Sequence, residues 1–272
     1  MNGPQLLAWG ALWVCGLQAA MWLWHLRSDN AGWVDVGWAL GLCGLAILDG
    51  TFGPGDAHRR MLVVGMGGLW GLRLGLHLWR RVGGDSHEDG RYQQIRRDWG
   101  GNIRFKFFFF FQAQAILDLL LSLPFLLAAL DPSPKIHWTV WLGMALWVVS
   151  ILGEGIADEQ LRRFKVDPAN GGKTCRAGLW RYSRHPNYFF EWLVWVAFFL
   201  LSVASPWGWS ALACPLVMLY FLLRVTGIPY TEAQSLRSRP EDYRRYQSET
   251  SAFIPWVPWR STVPGDAGPF DD

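Results

Sequence analysis

Cysteine is scarce in this chain, and the four that occur show no spacing typical of a metal or redox site. Three of them (Cys15, Cys43 and Cys214) stand in apolar segments, so the sequence predicts no disulfide framework. The six histidines form no close-spaced set with cysteines or carboxylates, and we expect no bound metal. A Gly-x-Gly-x-x-Gly sequence after a strand is also missing, which excludes a dinucleotide fold of the Rossmann kind.

Net charge is low as well, at +3, and gives nucleic-acid binding little support. Hydrophobic sequence is abundant instead: 51% of the 272 residues are hydrophobic, and 19 are Trp. Seven apolar segments each have about the ~20 residues that ~30 Å of hydrocarbon requires. They run over 5–24, 32–52, 61–79, 105–130, 136–157, 187–204 and 207–224. We therefore predict an all-α integral membrane protein with about seven transmembrane helices, a single helical domain over 1–260 and a mobile tail over 261–272.

The loops between these segments differ sharply in charge. Alternate loops hold 21 Lys and Arg on one side of the membrane and 3 on the other, with Arg73 inside a span. Positively charged loops stay in the cytoplasm, so the N-terminus is predicted outside and the C-terminus inside. A bacterial inner membrane is the expected location.

With this orientation, polar side chains of five predicted helices fall at one depth, near the cytoplasmic side. An ionised side chain costs at least ~2.5–3.5 kcal/mol at the bilayer centre, so several in one layer indicate mutual pairing or a water-filled cavity. Asp49 and Asp118 do not fit, because one lies near the outer surface and the other near mid-membrane. The layer contains Asp35, Arg73, His77, Glu154, Asp158, Asn187, Glu191 and Arg224.

The loop between the fifth and sixth segments is the most informative polar stretch. Asp158, Arg162 and Lys165 are spaced to share one helical face, and a turn follows at 167–172. Residues 178–188 then interleave arginines with aromatics, a pattern suited to a ligand with phosphates and flat rings. An interfacial belt of aromatics with snorkelling arginines is the alternative explanation.

Two helix stripes could carry chemistry. Asn187, Glu191 and Trp195 recur every four residues, and a buried Glu191 requires a partner or a raised pKa, which is typical of functional sites. On the third segment, Arg73 is either the structural counter-ion of Asp35 or a functional group. The sequence leaves both possibilities open.

Several of these motifs together resemble the steroid 5-alpha-reductase C-terminal family. The likeness lies in the run 178–188 with Glu191, in Asp158 and Arg162 before it, and in Leu-Leu-Arg ending at Arg224 after it. Residues 34–38, 70–74, 88–92 and 251–256 look more closely like its bacterial branch, the DUF1295 proteins. The resemblance covers about residues 30 to 260.

The resemblance implies a seven-helix enzyme whose cytoplasm-facing cavity holds NADPH and which reduces an activated C=C bond of a steroid-like or other lipid enone. In the resemblance Glu191 matches a carboxylate that lines the cavity. Asp35 and Arg73 are catalytic candidates because they lie at a similar depth, and Tyr92 is the next candidate for the acid. Charge alone adds Lys165, Lys173 and Arg176 as possible partners of the NADPH 2′-phosphate. Phe190 stands where relatives usually have Gly. The residues that the resemblance implies on the cofactor side, besides the Lys165 that charge adds, are Asp158, Arg162, Tyr182, Arg184, His185, Asn187, Tyr188 and Arg224.

Two other classes remain open. Isoprenylcysteine and phospholipid methyltransferases share the Arg-His-Pro-x-Tyr core at 184–188 and use it to hold S-adenosylmethionine. A non-catalytic scaffold or transporter would have no need of a nucleotide-like loop. The expected partners are a lipid-like small-molecule substrate and the bilayer.

Overall fold

A computed structural model describes residues 1–84 and 88–259 of the chain. The predicted mobile tail at 261–272 and His87 lie outside the described residues. Within them the chain is helical and has no β-strand, which confirms the predicted class. The α-helices are α1 Gly3–Ser28, α2 Trp33–Phe52, α3 Ala57–Val63, α4 Leu69–Gly84, α5 Gly90–Trp99, α6 Ile103–Leu121, α7 Leu123–Leu130, α8 Trp138–Val166, α9 Pro186–Ser202, α10 Ala213–Tyr220, α11 Ile228–Ser238 and α12 Pro240–Glu249.

Six helical stretches of the described residues are long and apolar enough to cross a membrane, as expected of a multi-pass membrane protein. The sequence predicted about seven. The difference is α9, whose 17 residues rise only about 26 Å at 1.5 Å per residue, slightly less than a typical hydrocarbon core. The six are Gly3–Ser28, Trp33–Phe52, Ala57–Gly84, Ile103–Leu130, Trp138–Val166 and Gly208–Ser238.

Side-chain caps fix where several helices begin. Asn2 and Gln5 make a reciprocal capping box at the start of α1, which satisfies two backbone donors that the first turn leaves over. Asp56 accepts from backbone amides at the start of α3, and Asp89 does the same for Arg91 at the start of α5. The last cap fixes the residue at which α5 begins.

The chain divides into two compact units. The first comprises Met1–Trp147 with Val196–Pro215. In it α2 packs against α1, α4 and α6. Helices α2 and α4 approach closely because Gly71 and Gly75 lack side chains: a Cβ on Gly75 would come within 2.6 Å of Leu40. Trp70 and Phe125 each meet Phe198 edge to face in the core of this unit.

The second unit comprises Val148–Trp195 and the described residues from Leu216 onward. Trp180 anchors its central loop by donating to the carbonyl of Ala157 at 2.8 Å, and the hydroxyl of Tyr246 donates to the carbonyl of Trp180. Phe190 packs against Gly153 of α8, where a Cβ would collide with its ring. The bulk of Phe190 is therefore accommodated by a glycine on the neighbouring helix.

Topology can be tested at the point where the sequence and the structure differ. Fusions of an alkaline phosphatase or fluorescent reporter after Arg81, Arg163 and Trp259 should all report the cytoplasm, because these regions carry most of the positive charge. Opposite locations after Arg163 and Trp259 would mean that α9 does not cross, since α9 and Gly208–Ser238 are the apolar helices between them.

Candidate functional site

At the start of α9, the second unit joins two of the predicted cofactor residues. The Asn187 amide donates to Asp158 Oδ1 at 3.1 Å, which links α9 to α8. The side-chain oxygen of Asn187 also accepts from the Tyr188 backbone amide at 3.0 Å. Both side chains are half-buried. An amide and a carboxylate held in this way can present hydrogen-bonding atoms to a ligand at fixed positions.

One turn further along α9, the predicted stripe is present. The indole nitrogen of Trp195 donates to Glu191 Oε1 at 3.1 Å. Trp195 is fully buried and Glu191 is half-buried. The i, i+4 spacing on the predicted stripe therefore brings the indole to the carboxylate, and the indole fixes the orientation of the carboxylate.

A glutamate that the sequence analysis missed organises the Arg-His-Pro-x-Tyr core. Glu232 Oε1 accepts from Arg184 Nε at 2.7 Å and lies 3.3 Å from His185 Nε2. Its other oxygen accepts from Gln247 at 2.8 Å. The Arg184 and Glu232 side chains are only 12% and 14% exposed, so this is a largely buried ion pair. Glu232 lies beyond the motifs that carry the resemblance, and its spacing from Arg184 gave no periodic signal.

The same core is tied to the end of the described chain. Arg184 Nη1 donates to the carbonyls of Gln247 and Thr250 at 3.0 and 2.6 Å, and its backbone amide donates to the carbonyl of Ser251 at 2.8 Å. The Ser183 hydroxyl donates to the carbonyl of Phe253 at 2.8 Å. Residues 251–256, which the sequence analysis recognised as a motif, thus pack against 182–185. Arg184 was predicted to hold a cofactor phosphate, but its guanidinium is engaged largely by protein groups.

His185 is buried and stacks on Tyr188, with ring centroids 5.4 Å apart and planes 6° from parallel. Burial lowers the pKa of His185, against the opposing effect of Glu232, so the ring is neutral at pH 7. A neutral ring can donate one hydrogen bond to the glutamate and present its stacked face to Tyr188.

A basic cavity opens beside the C-terminal end of α8. Its volume is about 260 Å³, and its lining includes Lys165, Lys173 and Arg239 together with Asp167. Gly171 and Gly172 form part of the wall, where the chain turns. Arg239 is oriented by donating to Thr174 Oγ1 at 3.1 Å. Three cations against one carboxylate make this cavity suited to an anion such as a phosphate group.

Four residues that were predicted on the cofactor side do not line this cavity. Arg162 is exposed and forms a bidentate pair with Glu159 at 2.6 and 2.8 Å. Arg176 was predicted beside Lys165 and Lys173, but it pairs with Asp242 and Glu249 at 2.9 and 3.2 Å. Tyr182 and Arg224 are both exposed, the latter on the π-helical turn Phe221–Val225.

In the first unit, Asp35 and Tyr92 form a second candidate site. The Tyr92 hydroxyl donates to Asp35 Oδ1 at 2.7 Å, while Arg91 and Arg81 lie 3.0 and 3.5 Å from Asp35 Oδ2. Tyr92 is 4% exposed. Burial and the negative charge of Asp35 raise the pKa of Tyr92 well above its usual value, so its hydroxyl stays protonated.

The counter-ions of Asp35 include two arginines that the sequence did not assign to it, Arg91 on α5 and Arg81 at the end of α4. Arg73 itself is half-buried on α4. The sequence missed Arg91 as a partner because α5 is a short polar helix far along the chain. Asp35, Arg73 and Tyr92 belong to the first unit and Glu191 to the second.

Comparison with known proteins gives a family but no activity. A family model described as protein of unknown function (DUF1295) matches residues 21–250. An uncharacterized protein of Schizosaccharomyces pombe is 27% identical over 270 residues, which cover 86% of this chain and 75% of that protein. No solved structure matches the chain significantly.

Proposed function

The chain belongs to the DUF1295 family, and we propose that it is a membrane-embedded reductase that uses NADPH to reduce an activated C=C bond of a steroid-like or other lipid enone. This proposal extends the chemistry of the steroid 5-alpha-reductases to this chain, on the resemblance described above. It also places the protein in a bacterial inner membrane with the cofactor side facing the cytoplasm, as the charge of the loops predicts.

The basic cavity is the observation that carries this proposal. Lys165 and Lys173, the two lysines that the sequence assigned to the 2′-phosphate, line one cavity, and Arg239 joins them in place of Arg176. Its 260 Å³ is below the roughly 300–1,000 Å³ of pockets for drug-sized ligands, so it suits one phosphate-bearing end of a dinucleotide. S-adenosylmethionine has no phosphate and a net positive charge, because its one carboxylate is outweighed by its ammonium and sulfonium groups, so three neighbouring cations favour it far less than a phosphate.

The remaining polar groups fit the rest of such a reaction. When bound, NADPH supplies a hydride to one carbon of the C=C bond, and a proton delivered to the neighbouring carbon gives the saturated ketone and NADP⁺. Polarisation of the enone carbonyl requires a hydrogen-bond donor or an acid. Tyr92, with its protonated hydroxyl, and Glu191, held by Trp195, are the candidates for this role.

Cofactor selectivity tests the proposal. NADPH, NADH and S-adenosylmethionine are titrated against the protein purified in detergent, with tryptophan fluorescence as the signal. We expect NADPH to bind more tightly than NADH. The double variant Lys165→Gln/Lys173→Gln should weaken NADPH binding about tenfold, or roughly 1.4 kcal/mol, and leave NADH binding unchanged, because only NADPH has the 2′-phosphate.

Arg163→Gln is the matched control. Arg163 lies on the same helix, is exposed, and pairs with Glu159 at 2.6 Å rather than lining the cavity. It should leave both affinities unchanged. Equal binding of NADPH and NADH by the wild type would contradict the assignment of the cavity. Selective binding of S-adenosylmethionine would favour a methyltransferase instead.

A further inference from the structure

Asp118 of α6 is an acidic side chain buried inside the first unit. Its exposed fraction is 0%, and it lies near the middle of the apolar stretch Ile103–Leu130, one of the candidate membrane spans. Neither carboxyl oxygen has a hydrogen-bond partner among the described residues. A buried carboxyl group without partners is rare in proteins and inside a membrane usually has a function.

The Asp118 carboxyl group lies between α1 and α2, at a position where α2 has a glycine. Gly41 of α2 faces the carboxyl group, and a Cβ on Gly41 would collide with Asp118 Oδ2. Val14 of α1 approaches the same point, and Val14, Leu45 and Ala115 form an apolar cluster beside it. The acid therefore fills a notch that a glycine leaves between helices, and apolar side chains surround it.

A second buried acceptor lies one helical turn away. Gln18 of α1 is 0% exposed, and its side-chain oxygen has no partner within the described chain, although its nitrogen lies 3.4 Å from the carbonyl of Val34. That oxygen would come within 2.8 Å of a Cβ on Gly37, four residues before Gly41 on α2. The α1–α2–α6 interface thus contains three acceptor atoms without donors.

No charged group in the neighbourhood compensates Asp118. In the described chain it forms no ion pair. On α1 and α2, which pack against α6, the titratable groups are Cys15, His25 and Arg27 of α1 and Asp35, Cys43 and Asp49 of α2. None of the three on α2 lies within a turn of Gly41 on the same face. Cys214 donates to the carbonyl of Leu120 at 3.4 Å. His25 and the polar residues of α5 lie towards the other end of α6, where His25 meets Phe107 and Phe111.

We propose that Asp118 is a reversible proton-binding site within the membrane-spanning part of the first unit, with Gln18 as a second polar group of the same interface. The ligand is a proton, because removal of an unpaired carboxylate from water costs more than protonation does at neutral pH. A proton also converts one oxygen from an acceptor into a donor, which is what an interface of unpaired acceptors lacks. Metal binding is disfavoured because the described residues contain no group of three His, Cys, Asp or Glu that could hold an ion.

Infrared spectroscopy of the full-length protein in detergent or lipid tests this directly. A protonated carboxyl group has a carbonyl stretch that a carboxylate lacks and that shifts in D₂O. The spectrum of the wild type minus that of Asp118→Asn should contain this band at pH 7. The band should shift in D₂O and disappear reversibly at alkaline pH. Asp118→Asn keeps the shape and removes the proton, so this variant should fold as the wild type does.

Asp49→Asn is the control for the assignment of the band. Asp49 lies on α2, is 3% exposed, and stands away from the Gly41 notch. Its replacement should leave the Asp118 band in place. A carboxylate signal from Asp118 at pH 7 would refute proton binding. A carboxyl band that neither titrates nor exchanges with D₂O would refute reversibility. If Asp118→Asn does not fold, the wild-type band and its loss in Asp118→Ser decide between the same outcomes.

Discussion

Arg184→Ala should lower the free energy of unfolding by about 3 kcal/mol, because it leaves Glu232 largely buried without its ion-pair partner. It also removes the donors to the carbonyls of Gln247 and Thr250. Equilibrium unfolding in mixed detergent micelles measures the effect. Glu232→Ala should have a similar effect, and the double variant should be less destabilised than the sum, as expected for residues in contact. Arg184→Lys should restore only part of the loss, since it lacks the planar fork.

Arg237→Ala is the matched control. Arg237 lies on α11, the helix of Glu232, and is exposed, so its replacement should change stability by no more than about 0.5 kcal/mol. This comparison separates two roles for Arg184. If Arg184→Ala is as stable as Arg237→Ala but loses NADPH binding, the phosphate contact predicted from the sequence is correct and the structural role is wrong.

Loss of the proton donor should slow enone reduction about 100-fold, the lower limit of a typical general-acid contribution. Glu191→Gln keeps the size of the side chain and an oxygen that can accept from Trp195, while Tyr92→Phe removes only the hydroxyl that donates to Asp35. Turnover of NADPH with progesterone or a long-chain alkenone measures the effect. The variant that loses turnover identifies the proton donor. The affinity of that variant for NADPH should stay within about twofold of the wild-type affinity, or about 0.4 kcal/mol.

Folding must be checked for both variants. Tyr92→Phe removes one hydrogen bond and should cost about 1 kcal/mol of stability, too little to unfold the protein. Glu159→Gln serves as a control for the change of charge, because Glu159 is an exposed partner of Arg162 and Arg163 on α8. If both variants reduce the substrate at the wild-type rate, neither Glu191 nor Tyr92 is the acid.

Some features followed from the sequence because they depend on neighbours along one helix. The length and apolarity of segments indicated the membrane helices, and only α9, at 17 residues, fell short. Repeats of four residues brought Glu191 to Trp195. In each case the spacing along an α-helix fixes the geometry, whatever the rest of the chain does.

Other features depend on the path of the chain between helices. Glu232 reaches Arg184 across 48 residues, and Tyr92 reaches Asp35 across 57. No periodicity marks such pairs, since they form only when loops return a distant helix to the same place. The sequence left Arg73 as either the counter-ion of Asp35 or a functional group and assigned Arg184 to the cofactor side. It signalled neither Arg91 as a partner of Asp35 nor Glu232 as a partner of Arg184.

The charge of the loops and the hydrophobicity of the segments by themselves determined that this is a helical, multi-pass membrane protein. Only the tertiary structure decided which of its many charged groups neutralise one another and which remain available. Lys165, Lys173 and Arg239 line one cavity. Arg176 forms ion pairs with Asp242 and Glu249 instead. Asp118 is buried against Gly41. The physical reason is that burial and pairing depend on what packs around a group, which one segment of sequence does not contain.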